Sequence, residues 1–254
     1  MRKFGKLLLL VVKSILIFIA VGAISTASVK NLQKLIMVEQ FKAKGVLQEE
    51  ISTEYEKFYK IDAPNERPSF TNDRGTIIPG SAGDILVATE AHLVGPIIDS
   101  FVTFFAGGHA AICTGEYGDY QIRLDETTSV ESTGLNEGEN PASIFNRDYW
   151  SYESNYHEVI GLRVHGMDDR KAHEVISNAA AILGDPYNYS FLFDTTNKSY
   201  CSDLVAKAYK SIGADLNKDD FTTSIYDLIV TDHTYISYYH YYDSDGVKHI
   251  YYFG

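Results

Sequence analysis

Cysteine is almost absent: Cys113 and Cys201 are the two in 254 residues. At most one bridge, between those two thiols, is therefore open to the chain in an oxidising compartment. No internal repeat and no low-complexity tract interrupts it, which leaves a globular body with room for one sizeable core plus an appendage. Positive charge is scarce beyond the start. The net charge is −12, and because Arg2, Lys3, Lys6 and Lys13 carry four positive charges, the remainder carries −16. A body of that sign avoids nucleic acid and gains no overall attraction to anionic lipid. Metal-binding patterns are missing as well. His157, His165 and His173 recur every eight residues, a spacing that crosses a strand and a helix rather than gathering on one site. Asp243-Ser244-Asp245-Gly246 lacks the bidentate glutamate of a calcium loop and reads as a turn. Neither a metal nor a cofactor is expected. Proline is also sparse, and three of the six, Pro64, Pro68 and Pro79, fall in Ile61–Gly80, which reads as a linker or strap.

What is present begins with a topogenic signal. Arg2, Lys3 and Lys6 precede a run from Leu7 to Ile24 that is apolar apart from Lys13, Ser14 and small residues. Positive charge ahead of such a run holds the N-terminus in the cytoplasm and sends the body outside. Residues 1–27 are expected to be a retained signal anchor, with cleavage near Ala23, Ser25 and Ala27, and hence secretion, as the alternative. Residues 28–79 read as a helical stalk and linker, whose helices are expected to pack on the domain, with a free stalk or a partner-binding pair as the alternatives. In this stretch, Leu32, Leu35, Ile36 and Phe41 stripe a first helix and Ile51, Tyr55 and Phe58 a second, broken at Lys44-Gly45. The domain proper is placed at 80–254. Nineteen tyrosines, crowded toward the C-terminus, suit sheet surfaces and sugar or peptide contacts.

Within that domain, Gly83–Ala88, Gly108–Cys113, Tyr120–Leu124, Thr127–Ser132 and Glu158–Val164 read as strands. Residues 92–105 form an apolar stretch with Pro96, able to wall a pocket. Asp168–Leu183 is a helix with an aspartate cap and a Gly184 stop. A short helix is expected within Phe221–Val230, and Thr234–Tyr242 and Val247–Phe253 flank a hairpin turn.

The chemistry gathers around Ser199-Tyr200-Cys201-Ser202-Asp203-Leu204-Val205. Leu204, Val205, Ala208, Tyr209 and Ile212 recur at helical spacing, so Cys201 stands in the first turn of an amphipathic helix ended by Gly213. Unpaired N–H groups and the helix dipole there favour thiolate over thiol, and the thiolate is the nucleophile. The plain alternative is a buried small hydrophobe. Gly107-Gly108 deliver the chain into a strand that opens with His109, and alternation puts His109, Ala111 and Cys113 on one face.

Taken together, Gly83-Asp84-Ile85-Leu86, Gly108-His109-Ala110-Ala111-Ile112, Val130-Glu131-Ser132, Leu183-Gly184-Asp185-Pro186-Tyr187 and the Cys201 stretch resemble the circularly permuted NlpC/P60 papain-like families. The YiiX/YaeF-like group is nearest and the lecithin:retinol acyltransferase-like group more distant. In the ordinary order the cysteine precedes the histidine; here it follows by 92 residues. The resemblance covers roughly Gly80 to Leu216 and implies an α+β, papain-like fold: an antiparallel sheet under a nucleophile-bearing helix. It implies Cys201 as nucleophile, His109 as base and Glu131 as the residue orienting the imidazole, with Tyr187 and Tyr200 near the site to help bind the oxyanion or substrate. The acyltransferase branch uses a different cysteine motif and a second histidine in the third role, which Glu131 does not match. Asp125 and Glu126 are the substitutes should Glu131 merely face solvent.

Two function classes follow. One is an extracytoplasmic thiol hydrolase cutting an amide in a cell-wall (peptidoglycan) peptide or an N-acylated lipid. The other is an idle papain-like module that holds a peptide or lipid without cutting it. Sequons at Asn188-Tyr189-Ser190 and Asn197-Lys198-Ser199 would put a glycan beside Cys201, which favours a bacterial chain.

Overall fold

A strand whose side chains are buried on both faces belongs in the middle of a sheet, and Glu158–Val164 is such a strand. In the computed structural model it lies fifth of nine in a single sheet ordered β1-β2-β9-β8-β7-β3-β4-β5-β6. The residues described are 13, 28–68, 77–90, 106–115, 124–125, 127–133, 142–191, 196–217 and 222–254. The strands are β1 Val46–Leu47, β2 Glu56–Ile61, β3 Ile85–Ala88, β4 His109–Cys113, β5 Thr128–Ser132, β6 Ala142–Asn146, β7 Glu158–Val164, β8 Thr234–Tyr242 and β9 Lys248–Phe253. Among the described residues the helices are α1, described over 28–42, α2 Asp169–Ala181, α3 Cys201–Lys210 and α4 Ile225–Val230. A 3-10 turn, Arg147–Ser151, follows β6.

The α+β expectation holds, with one correction to the sheet: it is mixed, because β2 runs parallel to β9 while the other pairs are antiparallel. The second helix expected at Ile51–Phe58 is instead the end of a β1–β2 hairpin, and β2 joins the sheet through Phe58 opposite Ile250. Val46–Leu47 and Glu56–Ile61 are thus strands of the sheet, where a second helix was expected. Among the described residues no helix is long and apolar enough to cross a membrane. The expected anchor at 1–27 falls, apart from Lys13, outside them, so the described structure lends that segment no support. The pocket wall at 92–105 and most of the Tyr120–Leu124 strand also lie outside.

One face of the sheet carries Ile85, Val87, Ala110, Ile112, Val130 and Leu162 against α2, α3 and α4. The α2 stripe of Ala172, Val175, Ile176 and Ala179 is buried there, and Asp168 caps the helix by accepting from the Lys171 N–H. The opposite face packs Leu86, Ala111, Cys113 and Val159 under Trp150 and Tyr156. His109 stacks on the latter two rings, so the alternation read from the sequence places it on this second face.

The Gly83-Asp84 step locks β3 to its neighbours. Gly83 adopts φ +74°, and a Cβ there would come within 2.9 Å of the Ala172 Cβ, so only glycine brings α2 this close. Asp84 accepts two hydrogen bonds of 2.8 Å from the Arg163 guanidinium and one of 2.9 Å from the Ser81 N–H. Burial alone would strip charge from Arg163, but the Asp84 carboxylate outweighs it and holds the guanidinium charged. Asp84→Ala leaves Arg163 with Glu66, 3.6 Å away, as its remaining acid. We expect a loss of roughly 3–5 kcal/mol in urea unfolding. An Asp84→Ala/Arg163→Met double variant should regain most of it; equal losses in the two would show that the charge is not the cause.

Candidate active site

Helix α3 begins at Cys201, and Tyr200, at the N-cap, has extended backbone and a side chain that caps none of the first-turn N–H groups. Three anchors fix that helix start. Ser132 Oγ donates to the Ser199 carbonyl at 2.7 Å, Ser202 Oγ donates to the Thr223 carbonyl at 2.7 Å, and the Thr223 N–H donates to the Tyr200 hydroxyl at 2.7 Å. Cys201 Sγ lies 3.7 Å from the carbonyl oxygen of Gly108, directly before His109. Gly108 has φ +143°, and a Cβ would stand 2.0 Å from the Ala88 carbonyl oxygen, so glycine is required where β4 enters the site.

His109, Glu131 and Cys201 are all buried, Cys201 with 1% of its surface exposed. His109 Nε2 is 2.8 Å from Glu131 Oε2. A carboxylate only accepts, so Nε2 carries the proton and donates it to Glu131. That assignment turns Nδ1 toward the thiol. Nδ1 makes no hydrogen bond of good geometry, although Cys201 is close enough to act on the imidazole. Burial pulls the His109 pKa down, but Cys201 and Glu131 together outweigh it and raise it to about 10.

Glu131 is held by four donors. Oε1 accepts from Ser129 Oγ at 2.6 Å and Trp150 Nε1 at 2.7 Å; Oε2 accepts from His109 and from the Tyr149 hydroxyl at 3.1 Å. Tyr156 bonds the Tyr149 hydroxyl at 2.8 Å, extending the chain of donors. Burial, with the charge of Glu131 behind it, pushes the Tyr149 hydroxyl far up, which keeps it a neutral donor. The imidazole plane is set by Trp150, stacked at 5.4 Å and 12°, and by Tyr156 at 6.2 Å. A buried carboxylate so fully bonded is fixed in place, and it fixes the ring that it holds.

The sequence reading did not single out Ser129, Tyr149, Trp150 or Tyr156. The signal was there in Trp150, the single tryptophan of the chain, beside a tyrosine. The expected tyrosines divide in role. Tyr200 has its hydroxyl oxygen engaged by Thr223. The Tyr187 hydroxyl makes no hydrogen bond among the described residues, and burial followed by the charge of Cys201 drives its pKa well up. Tyr187 also lines a cleft of about 380 Å³ with Asn188, Tyr189 and Lys198. Asp125 is taken up by Thr127 through its N–H and hydroxyl, and Glu126 lies outside the described residues.

Cys113 and Cys201 are both free thiols, so the bridge left open by the sequence does not form. Burial pushes the Cys113 thiol up to about 11, which makes it a poor nucleophile. Asn188, in the first sequon, is buried and accepts from the N–H and hydroxyl of Ser190. No group of three or more His, Cys, Asp or Glu side chains among the described residues is arranged to hold a metal ion. The Asp243 turn instead accepts from the N–H groups of Asp245 and Val247 and pairs with His249 at 2.8 Å.

A cysteine at a helix start, an imidazole beside it and a carboxylate behind the imidazole make up the apparatus of acyl transfer through a thioester. Residues 81–229 match the family of permuted papain-like amidase enzymes, YaeF/YiiX, C92, a match over more than half of the chain. Among solved structures, that of the metalloprotein yiiX from Escherichia coli O157:H7, DUF1105, is similar with a TM-score of 0.45 and 14% identity. The match covers 62% of this chain and 96% of that one. No curated protein of similar sequence was found. The chain belongs to the permuted papain-like amidase family, YaeF/YiiX, C92, and is an amide hydrolase.

Proposed function

We propose that this hydrolase cleaves its amide by Cys201–His109–Glu131 catalysis on the extracytoplasmic side of a membrane. The observation that carries the reading is the buried hydrogen bond of 2.8 Å from His109 Nε2 to Glu131, which leaves Nδ1 to serve the thiol. Cys201 Sγ, its proton passed to Nδ1, attacks the amide carbonyl. The oxyanion is met by the first-turn N–H groups of α3 and by the Tyr187 hydroxyl, with Tyr200 shaping the same wall. Nδ1–H then protonates the leaving amine as the C–N bond breaks, leaving a thioester on Cys201. Water attacks that thioester, giving its proton to Nδ1, and the acid and the thiolate are released.

The location rests on Arg2, Lys3 and Lys6 ahead of the apolar run, with anchoring by residues 1–27 or secretion after cleavage. A cell-wall peptide or an N-acylated lipid is the substrate class that meets such an enzyme there. The test is iodoacetamide labelling near neutral pH, read by mass spectrometry, alongside hydrolysis of wall fragments and lipid extracts. Cys201 is expected to label at least about a hundredfold faster than Cys113. Labelling of Cys113 first, or of neither without loss of hydrolysis, would remove Cys201 from the reaction.

A further inference from the structure

Helix α1 is turned inside out. Its cations point into the body: Lys30 pairs with Asp227 of α4, Lys34 with Glu158 at 2.8 Å, and Lys42 lies over the Tyr241 ring. Val38 and Phe41 share that inner face, Phe41 edge-on to Phe253 of β9. The outer face carries an apolar stripe, with Val29 57%, Leu32 58%, Leu35 48% and Ile36 49% exposed, flanked by the exposed uncharged side chains of Ser28, Asn31, Gln33 and Gln40. Its one exposed charge, Glu39, is neutralised by Lys42 at 2.8 Å. A helix facing water shows the reverse pattern. Val46, Leu47, Ile51 and Tyr55 are exposed as well, so eight of the ten exposed large hydrophobics among the described residues fall between 29 and 55. Concentration of that kind marks an interaction surface rather than ordinary scatter.

We infer that this outer face of α1 lies in the interface of a phospholipid bilayer, resting on the reading of residues 1–27 as an anchor. The argument for lipid is reach. Ile24 ends the apolar run and Ser28 is the first described residue of α1; four peptide steps span at most roughly 14 Å. Ser28 therefore stays within that distance of the apolar run, and the α1 face turned away from the body there carries the apolar stripe. A body charge of −16 beyond the first basic residues gives no attraction to anionic headgroups, so contact relies on apolar insertion, and a zwitterionic bilayer suffices. Lys30 carries the contact inward. Its partner Asp227 forms a capping box with Ser224, next to the Thr223 that holds Tyr200 and Ser202 at the start of α3. The nucleophile helix is thereby tied to the membrane-facing helix.

The test uses the full chain in phosphatidylcholine vesicles, with the photoreactive residue p-benzoylphenylalanine placed in turn at Ile15, Ile36 and Tyr152. Lipid adducts at Ile36 should be at least about tenfold more abundant than at Tyr152, as an interfacial face requires. Adducts at Ile15 but not at Ile36 overturn this inference and leave the anchor standing; their absence at both removes the anchor as well. Cross-links from Ile36 to a second copy, or to residues 1–27 of the same chain, overturn it in favour of a protein partner for the patch.

Discussion

Cys201→Ala is expected to abolish amide hydrolysis, a fall of at least about ten-thousandfold, while the protein still folds. The thiol supplies the bond-forming atom, and no neighbouring group replaces it: Ser202 is committed to the Thr223 carbonyl, and Cys113 belongs to the core on the opposite face of the sheet. Removing one sulfur from the start of α3 leaves a small void, with a cost on the order of 1 kcal/mol. The same change at Cys113 provides the contrast. Its sulfur fills space so tightly that a Cβ at Gly80 would stand 2.5 Å from it, so Cys113→Ala should lower the melting temperature and leave kcat close to wild type. There is a second readout. Cys201 is one of the groups that raise the His109 pKa, so His109 in Cys201→Ala should titrate at lower pH, visible by NMR of the ring protons. Retained hydrolysis in Cys201→Ala, or equal activity losses at the two cysteines, would overturn the assignment.

Much of this site was legible because its signals are local. The helix of Cys201 announces itself by spacing from Leu204 to Tyr209, and Leu204, Val205, Ala208 and Tyr209 of the expected stripe are buried, whereas Ile212 lies past the helix end and Ser202 and Asp203 are buried besides. β7 and β8 run over the residues expected of them, because their apolar and tyrosine-rich runs are bounded by turns. The second helix of the stalk failed for a physical reason. Ile51, Tyr55 and Phe58 fall at helical spacing by accident, and the pairing that makes Glu56–Ile61 a strand lies with β9 at the other end of the chain. Local periodicity cannot register a parallel pairing closed over such a separation. The donors around Glu131 were missed likewise. Tyr149 and Trp150 sit on a 3-10 turn too short for any period, and the Tyr156 ring meets His109 only after β6 and β7 have been placed. The partnership of His109 with Glu131 is diagonal: Ala111, not His109, stands opposite Glu131 in the register. Resemblance suggested that pair; spacing alone does not.

Glu131→Gln should lower kcat/KM by roughly ten- to a thousandfold with a smaller change in KM. Glutamine keeps the size and one acceptor oxygen, but its amide nitrogen is a donor in a place built from donors. Ser129 Oγ, Trp150 Nε1, the Tyr149 hydroxyl and His109 Nε2 all give hydrogens to this carboxylate, so whichever oxygen the amide replaces leaves a donor facing a donor. The less costly orientation keeps the oxygen toward His109, and the fall in rate then comes from the lost charge. Glu131 contributes to the raised His109 pKa both by its hydrogen bond and by its charge. Without that charge, desolvation of the buried ring weighs more and the imidazolium gives up its proton at lower pH. The sign follows directly. In the wild type the raised His109 pKa contributes stability that is whole below about 6.5 and lost as pH rises toward about 10. The alkaline limb of kcat/KM, where the imidazolium that protonates the leaving amine is lost, should fall near that upper value. In Glu131→Gln this limb should move to lower pH, and the difference in stability between the two proteins should shrink as pH rises through the wild-type limb. A purely structural glutamate would lower activity and stability without displacing the limb. Superimposable pH profiles would therefore reduce Glu131 to a packing residue and return the third role to another acid.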